Sequence, residues 1–158
     1  MLEKCNSAKE RWGGVHKMID GWLNERQQLI VQFCNLTASR PLDPDAAPLA
    51  EQLQGFCQVM MDYCSAGHFE IYEQLVAEAR EFDDGGVEYA SAVVPKLDAL
   101  TGKCVDFNDR YDGSCTLEQL GKLPADLSLL GEILEERFQL EDQLIERLHT
   151  IHRETVTD

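Results

Sequence analysis

The chain has 158 residues, 44% of them hydrophobic, which is enough to bury the core of one domain without disulfides or bound metal. It has 14 basic and 29 acidic residues, and therefore a formal net charge of −15 at pH 7. Because that charge repels nucleic acids and anionic membranes and attracts basic partners, we expect a single domain over residues 1–158 that binds neither nucleic acid nor membrane directly.

The N-terminal sequence resembles no targeting signal. Charged residues recur through the first twenty positions, so the apolar segment of a secretory signal is missing. No stretch approaches the run of about 18 apolar residues that a membrane-spanning helix needs. We therefore expect a cytoplasmic protein with reduced cysteines. None of the six cysteines forms a C-x-x-C pair, the usual spacing of zinc and thioredoxin sites.

Glycine and proline clusters divide the chain into segments, and within each segment apolar residues recur every three or four positions. The clusters lie at residues 13–14, 40–48, 83–86, 112–114 and 121–124. The segments between them predict helices over residues 2–12, 15–38, 46–64, 66–82, 87–111 and 124–154. No run of alternating β-branched residues predicts a strand. This pattern predicts an all-α fold, an antiparallel helical bundle of long amphipathic helices with short connections.

Two positions leave the helix boundaries open. Pro95 is expected either to kink the helix over 87–111 or to start it anew. Gly67 is a weak helix former, so the sequence Ser65-Ala66-Gly67 predicts either a kink or a break between two helices.

Ionisable residues interrupt the apolar stripes of three helices. Arg26 lies on the stripe of the first long helix, His68 and Tyr72 on that of 66–82, and Arg137 and Glu141 on that of the last helix. Buried charges are costly unless they are paired and hydrogen-bonded. These residues therefore form an internal network, or line a groove left open for a partner, or belong to a catalytic or metal site.

The patterns that favour a metal site are weak. A di-iron bundle needs two Glu-x-x-His motifs, and the chain has one, Glu146 to His149. His149 and His152 share a helical face near the C-terminus, where we expect them to be solvent-exposed. His16 and Asp20 are also four residues apart on one face. We expect no metal and no other cofactor.

The patterns that favour catalysis are equally weak. A thiolate at Cys64 activated by His68 is disfavoured by the acidic neighbours Asp62, Glu70 and Glu73. His68 as a phosphoryl acceptor lacks the lysine and glycine that usually follow such a histidine. We therefore expect that the protein is not an enzyme. The alternative is that it is a histidine-containing helical bundle that handles a metal or phosphoryl group.

Three stretches of the sequence carry a family resemblance. WLNERQQL (22–29), DYCSAGHFEIYE (62–73) and LGEILEERFQLEDQLI (130–145) resemble the signature stretches of the Rsd/AlgQ family, closest to its pseudomonad AlgQ branch. The resemblance extends from the N-terminus to about residue 148 and is weakest over residues 83–123.

The resemblance implies a helical bundle that regulates transcription without catalysis. Such a protein binds region 4 of the primary sigma factor, blocks its contacts with core RNA polymerase and the −35 element, and favours alternative sigma factors, chiefly in stationary phase. The resemblance does not identify any second protein partner. Trp22 and Phe69 are expected in the core. The matching positions, expected to bind sigma or to organise the site, are Asp20, Trp22, Arg26, Asp62, Ser65, His68, Phe69, Tyr72, Glu73, Glu132, Glu135, Arg137 and Glu141.

The acidic charge agrees with this implication. Sigma region 4 is a helix-turn-helix domain, which needs a basic face to meet DNA phosphates. A rigid acidic bundle suits competition for that face. We interpret residues 62–73 as a docking and helix-positioning element, in which His68 and Tyr72 order a polar cluster behind an acidic surface.

Overall fold

A computed structural model describes residues 2–38, 46–111 and 117–153 of the chain, with side chains over 9–37, 49–111 and 118–153. Within these ranges the chain is helical and contains no strand, so the predicted all-α fold is confirmed. The elements are α1 (Leu2–Ala38), α2 (Ala46–Ala66), a π-helical turn (Gly67–Ile71), α3 (Tyr72–Phe82), α4 (Gly86–Tyr111), α5 (Leu117–Gly121), α6 (Leu123–Leu148) and a 3₁₀ turn (Thr150–His152).

Four long helices form the bundle, with α1 packed on α2, α2 on α4, and α4 on α6. Trp22 stacks on Tyr63, and Phe33 packs on Phe56, so α1 and α2 run antiparallel. Most of the buried side chains between the helices are apolar, as the three- and four-residue spacing predicts, and a few polar side chains are buried among them. None of the helices in the described ranges is long and apolar enough to span a membrane.

Helix boundaries differ from the prediction at Gly13 and Gly14 and at the end of the last helix, and one of the two alternatives for Pro95 is excluded. Gly13 and Gly14 do not break α1, which is continuous from Leu2 to Ala38. Each glycine costs a helix only about 1 kcal/mol relative to alanine, and Trp12 beside them stacks on His149 at the far end of the chain. Pro95 does not start a new helix, since α4 continues through it. The last helix ends at Leu148 rather than at residue 154, because the chain turns at His149.

The stretch Ser65-Ala66-Gly67 is neither a simple kink nor a break. The helix continues through a π-helical turn, in which the N–H of Tyr72 donates to the carbonyl oxygen of Gly67, five residues back. One extra residue in a turn rotates the following helical face by about 100°. Gly67, instead of His68, therefore shares the inner face with Tyr72.

Glycine is favoured at residue 67 because two aromatic rings lie against it. A Cβ at residue 67 would lie 3.0 Å from Cζ2 of Trp22 and 3.3 Å from Cζ of Tyr72. Both rings are held in the core, so neither can retreat without disturbing its neighbours. His68, Phe69 and Glu70 are turned outward on the opposite side of the turn.

We expect Gly67→Ala to lower the free energy of unfolding by about 1–2 kcal/mol, because overpacking outweighs the gain in helix propensity. Urea unfolding followed by circular dichroism measures the change. Gly102→Ala is the matched control, since Gly102 is an exposed residue of α4 with no atom within 4 Å of an added Cβ. That variant should be more stable by up to about 1 kcal/mol. Equal responses of the two variants would contradict the packing argument.

Candidate functional site

Glu141 of α6 lies at the centre of a buried polar network. Its side chain is 1% exposed, and its two oxygens accept hydrogen bonds from the hydroxyls of Tyr63 and Tyr72, both at 2.6 Å. Nε of Arg137 donates to Glu141 Oε2 at 3.2 Å. The network therefore joins the end of α2, the start of α3 and the middle of α6.

Two arginines complete the network. Arg137 is 0% exposed and donates from Nη2 to the hydroxyl oxygen of Tyr72 at 2.9 Å and from Nη1 to Thr101. Arg26 of α1 donates from Nε to the hydroxyl oxygen of Tyr63 at 3.0 Å. Because each tyrosine oxygen accepts from an arginine, each hydroxyl hydrogen is free to point at Glu141. The geometry thus holds Glu141 as a carboxylate.

The pKa directions follow from burial and from these charges. Burial raises the pKa of both Tyr63 and Tyr72, and the negative charge of Glu141 raises it further. Burial alone would lower the pKa of Arg137, but the adjacent Glu141 raises it above its ordinary value. Burial raises the pKa of Glu141, which Arg137 and the two hydroxyls oppose. The net direction for Glu141 is upward, so burial outweighs the opposing effect of Arg137 and the two hydroxyls on its pKa.

Every buried side-chain nitrogen and oxygen in the described ranges has a hydrogen-bond partner. Of the three alternatives for the charges on the apolar stripes, the structure shows the internal network for Arg26, Tyr72, Arg137 and Glu141. His68 is the exception, because the π-helical turn places it on the surface. There its Nδ1 lies 3.2 Å from Oδ1 of Asp98, and it does not order the buried cluster.

The outer side of the π-helical turn presents an aromatic residue to solvent. Phe69 is 65% exposed, so the expectation that it lies in the core is wrong. The extra residue of the turn explains the difference, because it moves residue 69 out of the apolar stripe. Trp22, the other residue expected in the core, is buried, and its Nε1 donates to the carbonyl oxygen of Tyr63.

Acidic side chains lie near the π-helical turn that carries Phe69. Burial raises the pKa of Glu25, and the nearby charges of Asp62 and Glu70 raise it further, which shows that these carboxylates lie close together. Beyond Phe69, a groove of about 550 Å³ runs between α2 and α4, with Asp98 and Asp106 in its α4 wall. We call the exposed residues around the turn the Phe69 surface; they are Asp62, Ser65, His68, Phe69 and Glu70.

The remaining candidate residues lie elsewhere on the outside of the bundle. Asp20 on α1 is exposed and pairs with His16, whose Nε2 lies 3.6 Å from it. Glu73 is exposed on α3, next to the Phe69 surface in sequence. Glu132 and Glu135 are exposed on α6 and line a different groove, against α1. The structure therefore brings together most, but not all, of the candidate positions.

Comparison with known proteins identifies the family. A family described as "Regulator of RNA polymerase sigma(70) subunit, Rsd/AlgQ" matches residues 1–149. The chain belongs to the Rsd/AlgQ family. It is 36% identical over 153 residues to the protein named Regulator of sigma D of Yersinia pseudotuberculosis strain YPIII, covering 92% of this chain and 88% of that protein. It is 38% identical over 149 residues to the Regulator of sigma D of Enterobacter sp. strain 638, with the same coverage.

A histidine cluster in this Rsd/AlgQ protein was not predicted from the sequence. His149 and His152 are 1% and 3% exposed, so the expectation that they are solvent-exposed is wrong. Glu78 of α3 bridges them, with one oxygen 2.8 Å from Nδ1 of each histidine. The sequence feature that could have indicated the cluster is Glu78, because it is a carboxylate among the buried positions of α3.

Aromatic rings enclose the cluster. Trp12 of α1 stacks on His149 at a centroid distance of 4.3 Å, and Phe82 stacks on His152 at 3.7 Å. Nε2 of His149 lies 3.1 Å from Nδ1 of His16. Nε2 of His152 lies 2.8 Å from Oδ2 of Asp84. All ring nitrogens of the two buried histidines face protein groups, and no set of three or more possible ligands in the described ranges is arranged to hold a metal.

The cluster should make stability depend on pH. Burial lowers the pKa of His152, but its hydrogen bonds to Glu78 and Asp84 raise it above its ordinary value. Its contribution is therefore complete below about pH 6.5 and is lost as the pH rises through the folded-state pKa. The hydrogen bond from His152 lowers the pKa of Asp84, so that contribution is present above about pH 4 and is lost on acidification.

We therefore expect the free energy of unfolding to fall as the pH rises from about 6 to about 9, and His152→Gln to flatten this dependence. Urea unfolding at a series of pH values measures it. His68→Gln is the control, because His68 is exposed and outside the cluster, and it should leave the wild-type dependence unchanged. An unaltered pH dependence in His152→Gln would exclude His152 as its source.

Proposed function

We propose that this Rsd/AlgQ protein binds region 4 of the primary sigma factor through the Phe69 surface. Binding would block the contacts of region 4 with core RNA polymerase and the −35 element, and so favour alternative sigma factors. The protein would act in the cytoplasm as a binding partner, without catalysis and without a cofactor. The observation that carries the proposal is an exposed aromatic residue, Phe69, on a turn that also presents Glu70 and that borders a groove with Asp98 and Asp106 in its wall.

Shape and charge both support this surface as the docking site. A helix-turn-helix domain that contacts DNA has a basic face, which the carboxylates of Glu25, Asp62 and Glu70 complement. Exposed aromatic residues are favoured binding anchors when they become buried at the centre of an interface. The net charge of −15 would speed the encounter with a basic partner.

The candidate residues divide into two proposed roles. Asp62, Ser65, His68, Phe69 and Glu73 are exposed and are proposed to contact region 4, with Asp20 at the margin. The buried or half-buried residues are proposed to position the turn; they are Trp22, Arg26, Tyr72, Arg137 and Glu141. We assign no region 4 contact to Glu132 and Glu135, because they lie on the α1–α6 side of the bundle.

The alternative function as a metal- or phosphoryl-handling bundle receives less support. His68, the exposed candidate, lies 3.2 Å from a carboxylate oxygen of Asp98, whose charge would repel an anionic phosphoryl donor. The buried His149 and His152 direct their ring nitrogens at protein partners. Binding to a protein is the function that the geometry favours.

Calorimetry with isolated region 4 tests the proposal. We expect a 1:1 complex that weakens as the salt concentration rises from about 50 to about 500 mM, because screening removes the charge attraction. In vitro transcription from a −35-dependent promoter should decline in parallel with complex formation. Absence of a complex at low salt would refute the proposal.

A further inference from the structure

A second groove lies between α1 and α6, on the opposite side of the bundle from the groove beside Phe69. Phe33 of α1 crosses it and rests on Gly131 of α6, where a Cβ would lie 3.0 Å from Cζ of the ring. On one side of Phe33 the groove has a volume of about 580 Å³, with leucines of α1, α2 and α6 in its walls. On the other side lies a smaller cavity of about 210 Å³, which shares Phe33, Gly131 and Glu135 with the first and extends to Phe138; we treat the two as parts of one groove.

The walls of this α1–α6 groove combine apolar and acidic groups. Leu36, Leu127 and Phe33 supply apolar surface. Glu132 and Glu135 stand at the edge, and Glu135 borders both parts. Neither carboxylate makes an ion pair within the part of the chain that the structure describes. The groove therefore offers apolar contact and two uncompensated negative charges.

We propose that the α1–α6 groove binds a cationic amphipathic α-helix of a second protein partner. From Leu123 to Phe138 the lining residues of α6 are 15 positions apart, about 22 Å along the helix axis, which accommodates about four helical turns. Apolar residues spaced three and four apart on the partner helix would contact the groove floor. Lysine or arginine residues beside them would pair with Glu132 and Glu135.

The net charge of the chain favours a basic helix over a second copy of the chain as the occupant of the α1–α6 groove. A second copy carries the same net charge of −15 and would bring carboxylates against carboxylates. A basic helix carries a positive charge, which the acidic groove attracts. The groove shares no residue with the groove beside Phe69, so both partners could bind the same molecule.

Fluorescence anisotropy with a labelled 16-residue helix of leucine and lysine, its leucines spaced three and four apart, tests the proposal on the intact protein. We expect the double variant Glu132→Lys/Glu135→Lys to bind this peptide about tenfold or more weakly. Ser128→Trp, which fills the groove from an exposed position, should have the same effect. Glu136→Lys/Glu146→Lys carries the same charge change at exposed positions of α6 outside the groove and should bind within about twofold of wild type.

Several results would overturn the proposal. Equal losses in the two double variants, or equal binding of a scrambled peptide, would mean non-specific attraction by the acidic chain. No binding to the wild-type protein would mean that the groove is not open to a helix. A dimer in sedimentation that Ser128→Trp abolishes would assign the groove to a second copy. Loss of region 4 binding in Glu132→Lys/Glu135→Lys would assign the groove to sigma instead.

One result would support two separate binding surfaces. It is the loss of region 4 binding in Phe69→Ala while the peptide still binds.

Discussion

Replacing Phe69 by alanine is expected to weaken binding to sigma region 4 by about 30-fold or more. An exposed aromatic side chain that becomes buried at the centre of an interface typically contributes at least about 2 kcal/mol, which corresponds to that factor. Phe69 is 65% exposed in the free protein, so its removal leaves no cavity in the core. Calorimetry with isolated region 4 measures the affinity, and the urea midpoint should be unchanged.

Leu129→Ala provides the matched control. Leu129 is also a large exposed hydrophobic residue, 57% exposed, but it lies on α6 beside Ile133, away from the π-helical turn. Its truncation should leave the affinity for region 4 unchanged. Comparable losses for Phe69→Ala and Leu129→Ala, or none for either, would show that region 4 does not bind at the Phe69 surface.

Replacing Arg137 by methionine is expected to destabilise the protein by about 3–5 kcal/mol. Methionine fills most of the volume but leaves the buried carboxylate of Glu141 without its charge partner, and an uncompensated buried charge is costly. The hydroxyl of Tyr72 also loses the donor that orients it. Urea unfolding followed by circular dichroism gives the free energy of unfolding.

Two further variants show whether the loss of stability in Arg137→Met comes from the unpaired charge of Glu141. Gln139→Met introduces the same side chain at an exposed position of α6 and should change stability by less than about 0.5 kcal/mol. Adding Glu141→Leu to Arg137→Met removes the stranded carboxylate and should restore part of the stability, because it is the unpaired charge that is most costly. A single-variant loss below about 1 kcal/mol would contradict the central role of the pair.

The helical architecture could be predicted from the sequence because it depends on local periodicity. Apolar residues at three- and four-residue spacing determine which face of each helix is buried, and Trp22 is buried as that spacing indicates. Arg137 and Glu141 could be paired in advance for the same reason, since residues four apart share a helical face.

The π-helical turn and the histidine cluster could not be predicted, because both depend on contacts between distant residues. The turn at Gly67 is set by the rings of Trp22 and Tyr72, which approach it only after the helices have packed. Once the turn is misassigned, Phe69 falls on the wrong face. His149 is buried by Trp12, which lies 137 positions earlier in the sequence. Local sequence patterns cannot indicate a contact between residues so far apart in the sequence.

The hydrogen bonds of Tyr63 and Tyr72 to Glu141 have a consequence for the kinetics of the proposed binding to region 4. Tyr63 precedes the turn and Tyr72 follows it, and both hydroxyls hold the same carboxylate of Glu141. The backbone that carries Phe69 is thus held on both sides in the free protein, so we expect the proposed association with region 4 to lose little conformational entropy there. Such preorganisation predicts a single-exponential association whose rate is proportional to partner concentration, without a slow rearrangement step.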